Sequence, residues 1–341
     1  MKIVVLDIAA SKTGAMSVLR DFYSYVSEND VSGNEWIFIT GTADALPLEK
    51  RGNISVILRD DVKASSKNRL IFEFITGGAF VNRLAPDVVL SLENTLPHRM
   101  DKHIRTFLYI HQPSGFQKIK KFSLFKRDER HVATYQHFYH KLILDSAKQA
   151  DASIVQTEWM REALIRDTGL AFERVKKIAP DIPDLSGFVK PGLFEPDRFI
   201  YPASDLPYKN HAVIEEARAI LAGKGYYPKV MYTKDKNIPR DELFAEYNRS
   251  TLLFPSYIET FGMPLAEAKQ FGNPVIAADT EFAREVLGSY ENAHFFDAFD
   301  AGALAILMKK VMDKEIGCGK PMKNIGSANS YAQLVDLVLY R

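Results

Sequence analysis

Residues 251–279, TLLFPSYIETFGMPLAEAKQFGNPVIAAD, contain two short apolar runs separated by a turn rich in glycine and proline. The runs 251–256 and 274–279 predict buried strands, and the amphipathic stretch 264–271 predicts a helix between them. A strand–helix–strand order of this kind is the building unit of a parallel sheet covered on both faces. This stretch therefore predicts an α/β fold.

The same alternation runs through the rest of the chain. Helical patterns are expected at 15–29 and 68–84, the second broken or weakened at Gly77 and Gly78. The pattern restarts after the proline-rich segment 179–198. Strands are expected at the β-branched and apolar runs 2–8, 35–40, 54–58, 87–92, 104–110, 151–157, 198–204 and 229–233.

We therefore predict two doubly wound domains. The first covers residues 1–180 and the second residues 181–325, and a terminal helix in 326–341 is expected to pack back on the first domain. A ligand is expected at the carboxyl ends of the strands, between the domains.

Composition excludes several classes of protein. The net charge is +1, so the chain as a whole has no basic excess for nucleic acid. A single cysteine, Cys318, excludes an internal disulfide and fits a reducing compartment. The apolar run at the N-terminus is too short for a signal peptide or a membrane span, which predicts a cytoplasmic protein.

Two glutamates, Glu259 and Glu267, flank the turn after the strand at 251–256. Gly262 allows the backbone to approach a ligand closely, and Pro264 suits the first turn of a helix, whose free amides favour anions. Carboxylates accept hydrogen bonds from vicinal hydroxyl groups, as ribose and hexose rings require. A capped helix with solvated acids would explain Pro264 and Glu267, but not Glu259.

This series of residues resembles the donor-site motif of glycosyltransferase family 4, the group 1 glycosyltransferases of bacterial polysaccharide biosynthesis. The resemblance implies a GT-B fold, with two Rossmann-like domains facing across a donor/acceptor cleft. It also implies that Glu267 holds the ribose of a nucleotide and that Glu259 lies against the donor sugar. The matching residues are Pro255, Ser256, Glu259, Phe261, Gly262, Pro264, Glu267, Ala268, Gly272, Pro274, Val275, Ile276 and Ala277.

Further roles follow from the same resemblance. Phe261, Gly262 and Met263 would offer backbone amides to sugar hydroxyls or phosphate. Lys209 matches the family's diphosphate-binding lysine. The arginine usual in the family is missing, and Ala203 or Ser204 stands near its place.

The first domain carries weaker matches to the family. His111, in HQPSG, resembles the His-x-Pro that places a histidine over the donor. Gly14, in SKTGAMSVL, resembles a glycine loop that lets the backbone pass near the diphosphate or acceptor. Glu93 and Asn94 end another predicted strand and are candidates for contact with the acceptor.

Cofactor and metal are not expected. The histidines show no spacing typical of metal ligands, and no Asp-x-Asp occurs in the chain. Lysine and backbone amides are expected to neutralise the phosphates instead of a metal ion. The donor, a UDP-, dTDP- or GDP-sugar, is thus the expected nucleotide partner.

The stretch 114–142 interleaves lysines and arginine with phenylalanines. Such a surface could contact anionic lipid headgroups at the inner face of the cell membrane, or stack on single-stranded nucleic acid. It could also be a solvated basic helix and loop. The expected partners are a saccharide or polyprenyl-linked saccharide acceptor and the membrane, not nucleic acid.

Together these features predict a retaining, metal-independent glycosyltransferase of bacterial capsule, O-antigen or exopolysaccharide synthesis. Two alternatives stay open at this point. One is a catalytically silent relative that binds nucleotide sugars, which the missing arginine would favour. The other is a nucleotide-sugar epimerase, which needs no acceptor.

Overall fold

A computed structural model describes residues 1–10, 14–29, 33–234, 238–323 and 329–339. The chain divides into two compact units. The first unit contains the described residues within 1–116, 134–179 and 328–341, and the second contains those within 117–133 and 180–327. The segment 117–133 thus packs with the second unit, although the sequence boundaries placed it in the first domain.

The first unit is built on a sheet of seven parallel strands in the order β3-β2-β1-β4-β5-β6-β7. The strand order reverses between β1 and β4, which is where doubly wound sheets bind ligands. The strands are β1 (Lys2–Asp7), β2 (Glu35–Thr40), β3 (Ile54–Leu58), β4 (Val88–Ser91), β5 (Arg105–Tyr109), β6 (Ala152–Val155) and β7 (Val175–Lys177).

The second unit has a sheet of five parallel strands in the order β12-β11-β10-β8-β9. Its order reverses between β8 and β10, so the loops that leave these two neighbouring strands meet at one edge. The strands are β8 (Arg198–Tyr201), β9 (Lys229–Tyr232), β10 (Thr251–Phe254), β11 (Val275–Ala278) and β12 (Ala293–Phe296).

Helices connect the strands in both units. In the first unit they are α1 (Gly14–Asn29), α2 (Asp60–Lys63), α3 (Ser66–Ile71), α4 (Gly77–Leu84), α6 (His140–Gln149), α7 (Glu158–Thr168) and the terminal α13 (Ser330–Leu339). α5 (Arg130–Thr134) has its first four residues in the second unit and its last residue in the first. In the second unit they are α8 (His211–Ala222), α9 (Arg240–Tyr247), α10 (Met263–Ala268), α11 (Glu281–Leu287) and α12 (Ala301–Met312).

The core of the first unit follows from its sequence pattern. β1 is an unbroken apolar run because both faces of a parallel sheet are covered. α1 buries Leu19, Phe22 and Val26, which helical spacing places on one face. α13 packs on this helix, where the rings of Phe22 and Tyr331 lie 6.0 Å apart.

The helical stretch predicted at 68–84 is real, but its irregularity has another position and cause. α3 passes through a π-helical turn, Phe72–Thr76, before α4 begins at Gly77. The two glycines continue the helix. A Cβ added at Gly78 would lie 2.1 Å from the carbonyl oxygen of His98, so this position needs glycine for close packing.

Gly78→Ala should therefore destabilise the first unit, although alanine is the better helix former. The added methyl group meets backbone atoms that cannot move aside, and such overpacking costs about 1–3 kcal/mol or more. Urea denaturation measures the free energy of unfolding. Gly14→Ala is the matched control because a Cβ there would meet nothing within 4 Å, and equal stability of the two variants would contradict the packing argument.

Candidate functional site

The loop between β10 and α10 depends on one glycine. Gly262 has φ +89°, a left-handed conformation that strains any residue with a Cβ, and it caps α10. Pro264 lies in the first helical turn, as its missing amide hydrogen allows. Phe261 and Met263 are half-buried on either side of the glycine. The predicted strand–turn–helix is thus present with the predicted turn residue.

Glu259 and Lys209 contact each other. Glu259 comes from the loop after β10, and Lys209 ends a 3-10 turn, Pro207–Lys209, after the neighbouring strand β8. The lysine ammonium forms an ion pair with Glu259 Oε1, and the Ser256 hydroxyl donates a hydrogen bond of 2.8 Å to the same oxygen. The hydroxyl of Tyr201 donates to the Lys209 carbonyl at 2.6 Å and so holds the turn.

Glu267 is the more deeply buried carboxylate, with 3% of its side chain exposed. Arg240, at the start of α9, donates from Nη2 to its Oε1 at 2.6 Å. The hydroxyl of Tyr247, at the end of the same helix, donates to its Oε2 at 3.3 Å. Burial raises the pKa of the Glu267 carboxyl, while Arg240 and Tyr247 act in the opposite direction.

Arg240 is a site residue that the sequence analysis missed. It begins α9, and no local pattern indicates that it reaches a carboxylate 27 positions along the chain. Together with Lys209 it brings a cation to each glutamate of the motif. Each acid predicted to contact the donor therefore has a counter-charge in the protein itself.

His111 belongs to the first unit and follows β5 directly. Its backbone amide donates to Asn94 Oδ1 at 2.7 Å, which ties together the loops after β4 and β5. Burial lowers the pKa of the imidazole to about 4, so the ring is neutral at pH 7. Its role toward the donor stays a prediction.

Gly14 opens α1 in the first unit, and a Cβ there would meet no atom of the described residues within 4 Å. Packing against those residues therefore does not require glycine at this position. Residues 11–13 of the predicted glycine loop lie outside the described residues. Approach of this backbone to a ligand stays a prediction.

A buried polar network lies at the carboxyl ends of β1 and β4. Glu93 Oε2 accepts a hydrogen bond of 3.0 Å from the Ala9 amide and lies 3.9 Å from Arg69 Nη2. Arg69 also donates to the Tyr139 hydroxyl at 3.2 Å. Burial raises the pKa of Glu73 to about 7. The sequence analysis singled out Glu93 alone from this network.

Two irregular helical turns supply part of this network. Glu73 lies in the π-helical turn after α3, and Tyr139 lies in a second one, Tyr135–Tyr139, between α5 and α6. Turns of this kind are frequent at functional sites because they redirect side chains. Neither turn has a periodic pattern of apolar residues from which it could be predicted.

The basic stretch at 114–142 is only partly exposed. Phe122 is buried in the second unit and stacks on Tyr257, with ring centroids 6.3 Å apart and planes inclined by 12°. Phe116 is buried in the first unit against His140. Phe125, in contrast, is 93% exposed. Phe138, the fourth phenylalanine of the stretch, is 58% exposed, so two of the four rings face solvent.

The described ranges contain neither a cluster of metal ligands nor a membrane-spanning helix. No three His, Cys, Asp or Glu side chains there come together as ligands of a metal ion. Within the same ranges, no helix combines the length and the apolar character that crossing a membrane requires.

Known proteins match this chain in sequence. Residues 215–330 match the family model described as glycosyl transferases group 1. The sucrose-phosphate synthase of Spinacia oleracea is 30% identical over 97 residues. That alignment covers 28% of this chain and 9% of the relative, so the chain spans a small part of the curated proteins it matches.

Solved structures match over nearly the whole chain. Sucrose-phosphate synthase from Thermosynechococcus elongatus has a TM-score of 0.63 at 15% identity and covers 99% of this chain and 94% of its own. The Anabaena protein HepE in complex with UDP has 0.61 at 13% identity, covering 99% and 95%. The lipopolysaccharide outer core galactosyltransferase WaaB has 0.58 at 15% identity, covering 99% of both chains. The predicted fold class and the resemblance to group 1 glycosyltransferases are confirmed.

Because Phe122 is buried against Tyr257, we expect it to stabilise the loop that carries Glu259. Phe122→Ala should lower the free energy of unfolding by about 3–5 kcal/mol, since truncating a buried phenylalanine leaves a cavity. It should also loosen Tyr257 and Ile258, which belong to the same apolar cluster. Thermal unfolding with hydrogen exchange of residues 255–262 measures both effects.

Phe125→Ala is the matched control because it removes the same ring from an exposed position three residues away. Its thermal stability should equal that of the wild type within about 0.5 kcal/mol. If both variants lose stability equally, Phe122 does not anchor the loop.

Proposed function

Because residues 215–330 carry the group 1 glycosyltransferase region, we propose that this protein transfers a sugar from a nucleotide-diphosphate sugar to a saccharide acceptor. The observation that carries the proposal is the placement of Glu259 and Glu267 on either side of the Gly262 turn, each with its own cation. The turn lies beside the reversal of strand order, where such sheets bind ligands.

The donor would be bound by both acids. Glu267 accepts hydrogen bonds from the ribose hydroxyls, and Glu259 faces the sugar with the Phe261–Met263 backbone. A UDP-sugar is the first donor to test, because solved structures of the Anabaena relative contain UDP, UDP with glucose, and UDP-glucose.

The chemistry would be substitution at the anomeric carbon of the donor. The bond from this carbon to the β-phosphate oxygen breaks, and a bond to an acceptor hydroxyl oxygen forms on the same face. The hydroxyl proton leaves to the departing diphosphate. Lys209 stabilises the negative charge that develops on the diphosphate, and a fixed cation of this kind lowers the barrier. Same-face transfer of this kind needs no covalent nucleophile or metal ion.

The acceptor would be a saccharide on a lipid carrier in bacterial surface polysaccharide synthesis. This proposal is supported by the exposed ring of Phe125 next to Lys126 and Arg127, a combination that suits anionic headgroups. The match to a lipopolysaccharide galactosyltransferase points in the same direction. The protein would work in the cytoplasm, at the inner face of the membrane.

One observation favours a second candidate, a silent relative that binds nucleotide sugars without turnover. Ala203 or Ser204 stands where the family's second diphosphate cation is expected. Release of UDP from a UDP-sugar in the presence of acceptor would dismiss this candidate. Epimerisation of the donor without acceptor would instead identify an epimerase.

Nucleotide binding should depend on Glu267. We expect one of the three nucleotides UDP, GDP and dTDP, each tested in the presence of EDTA, to raise the melting temperature of the wild type. A ligand at a hundredfold excess over its dissociation constant adds about 2.7 kcal/mol of stability. Glu267→Gln should lose most of this shift because the amide presents one acceptor oxygen in place of two.

Glu215→Gln is the control for this experiment, since Glu215 is exposed on α8 and pairs with Arg218. It should keep the full shift. A wild-type shift that persists in Glu267→Gln would remove Glu267 from the donor site, and no shift with any nucleotide would count against a glycosyltransferase.

Membrane contact should depend on Phe125. Co-sedimentation with vesicles that contain phosphatidylserine should capture the wild type at low salt and less of Phe125→Ala, because insertion of the ring is lost. High salt should weaken capture of both by screening the basic residues. Phe172→Ala removes another exposed ring, from the first unit, and should bind like the wild type. Equal capture of all three proteins would contradict insertion of Phe125.

A further inference from the structure

We propose that Arg240 is a positioning residue of the donor site: it orients the Glu267 carboxylate and keeps it ionised for the nucleotide ribose. The proposal rests on the proposed function, because it assumes that Glu267 accepts from a donor. It adds a residue that neither the motif nor its resemblance includes.

Arg240 covers Glu267 from the solvent side. The carboxylate is 3% exposed, whereas the arginine side chain is 61% exposed and reaches it with one nitrogen at 2.6 Å. The guanidinium also lies over the ring of Phe244, with its carbon 5.1 Å from the ring centroid. Phe244 is buried and belongs to the same helix, so the aromatic ring limits where the guanidinium can lie.

The hydrogen bonds at Glu267 leave room for two more donors. A carboxylate offers about four lone-pair positions on its two oxygens. Arg240 takes one position on Oε1 and Tyr247 takes one on Oε2. Among the described contacts, one position on each oxygen remains, which matches the two neighbouring hydroxyl groups of a ribose. Arg240 and a ribose therefore do not compete for the same lone pair.

Arg240 is the main source of positive charge next to the Glu267 carboxylate. Within the described ranges, Arg240 and Tyr247, both on α9, are the titratable groups that act on this carboxyl from the elements packed around α10. The hydroxyl of Tyr247 stays protonated, since burial raises its pKa well above the usual value. Lys269, on the turn that continues α10, donates instead to the carbonyl of Val286. Arg240 is thus the one positive charge that these contacts give to Glu267.

Removing that charge should change the pH at which Glu267 titrates. Burial alone favours the neutral carboxylic acid, and an opposite charge in contact shifts the pKa of a carboxyl by about 1–3 units. Without Arg240, we expect Glu267 to gain a proton nearer to neutral pH. A protonated carboxyl has fewer acceptor positions for ribose, so nucleotide affinity should fall as the pH is lowered.

The test compares Arg240→Gln with the wild type from pH 6 to pH 9. Isothermal titration with the nucleotide that the wild type binds best, out of UDP, GDP and dTDP, gives the dissociation constants. The ratio of variant to wild type removes the titration of the nucleotide itself. We expect this ratio to exceed one at pH 6 and to fall toward one at pH 9, with a factor of about ten as the upper limit that a pKa change of about one unit allows. Arg240→Lys, which keeps the charge, should restore most of the affinity at pH 6.

A second measurement needs no ligand. Carbon-13 spectra of the glutamate carboxyls follow the titration of Glu267, which is assigned by its loss in Glu267→Gln. The pKa of Glu267 should be higher in Arg240→Gln than in the wild type. Arg218→Gln is the matched control, because Arg218 is an exposed arginine with a glutamate partner on α8, and it should leave the Glu267 titration unchanged.

The outcomes separate the two levels of the proposal. An unchanged Glu267 titration in Arg240→Gln, or a loss of affinity that is equal at every pH, would overturn the positioning role. Tighter binding by Arg240→Gln would also overturn it, because Arg240 would then be an obstacle to the nucleotide. A wild type that binds none of the three nucleotides would overturn the proposed function, and this inference with it.

Discussion

The burial of two carboxylates, Glu259 and Glu267, is the constraint on which the loop around Gly262 depends. A buried carboxylate is costly unless hydrogen bonds and a counter-charge accompany it. Glu267 meets this requirement through Arg240 and Tyr247, and the less deeply buried Glu259 meets it through Lys209 and Ser256. These partners come from the loop after β8, from α9 and from the loop after β10. The order of the five-stranded sheet is what brings them together, since β8 and β10 are neighbours.

The loop that carries Glu259 has a second support. Phe122 comes from a segment that follows β5 along the chain, yet it packs with Tyr257 and Ile258 in the second unit. Lys120 and Lys126 pair with Glu129, so several charges of this segment are used within it. A stretch that reads as a uniform basic surface therefore has two parts: an anchoring ring at Phe122 and an exposed tip at Phe125. The first part packs against the loop that carries Glu259, and the second is exposed to solvent.

The first unit also buries acidic side chains beside an arginine, but there three carboxyl groups share one arginine. Asp7, Glu73 and Glu93 lie buried around Arg69, and burial raises the pKa of all three acids. The network lies at the carboxyl ends of β1 and β4, where the strand order of this sheet reverses. Its geometry depends on two π-helical turns, which supply Glu73 and Tyr139. Both sheets thus concentrate buried charge at the edge where doubly wound folds bind ligands.

The sequence by itself determined the alternation of strands and helices, the turn at Gly262 and the two glutamates around it. These features are local, because hydrophobic period and turn chemistry act over a few residues. The short strands β7 and β12 and the short helix α11 were missed, since a few residues carry little periodic signal. Tertiary structure alone decided that Gly78 is needed for packing, that Phe122 is buried, and that Arg240 meets Glu267. Each of these depends on atoms brought together from distant parts of the chain, and no spacing within a single segment encodes such an encounter.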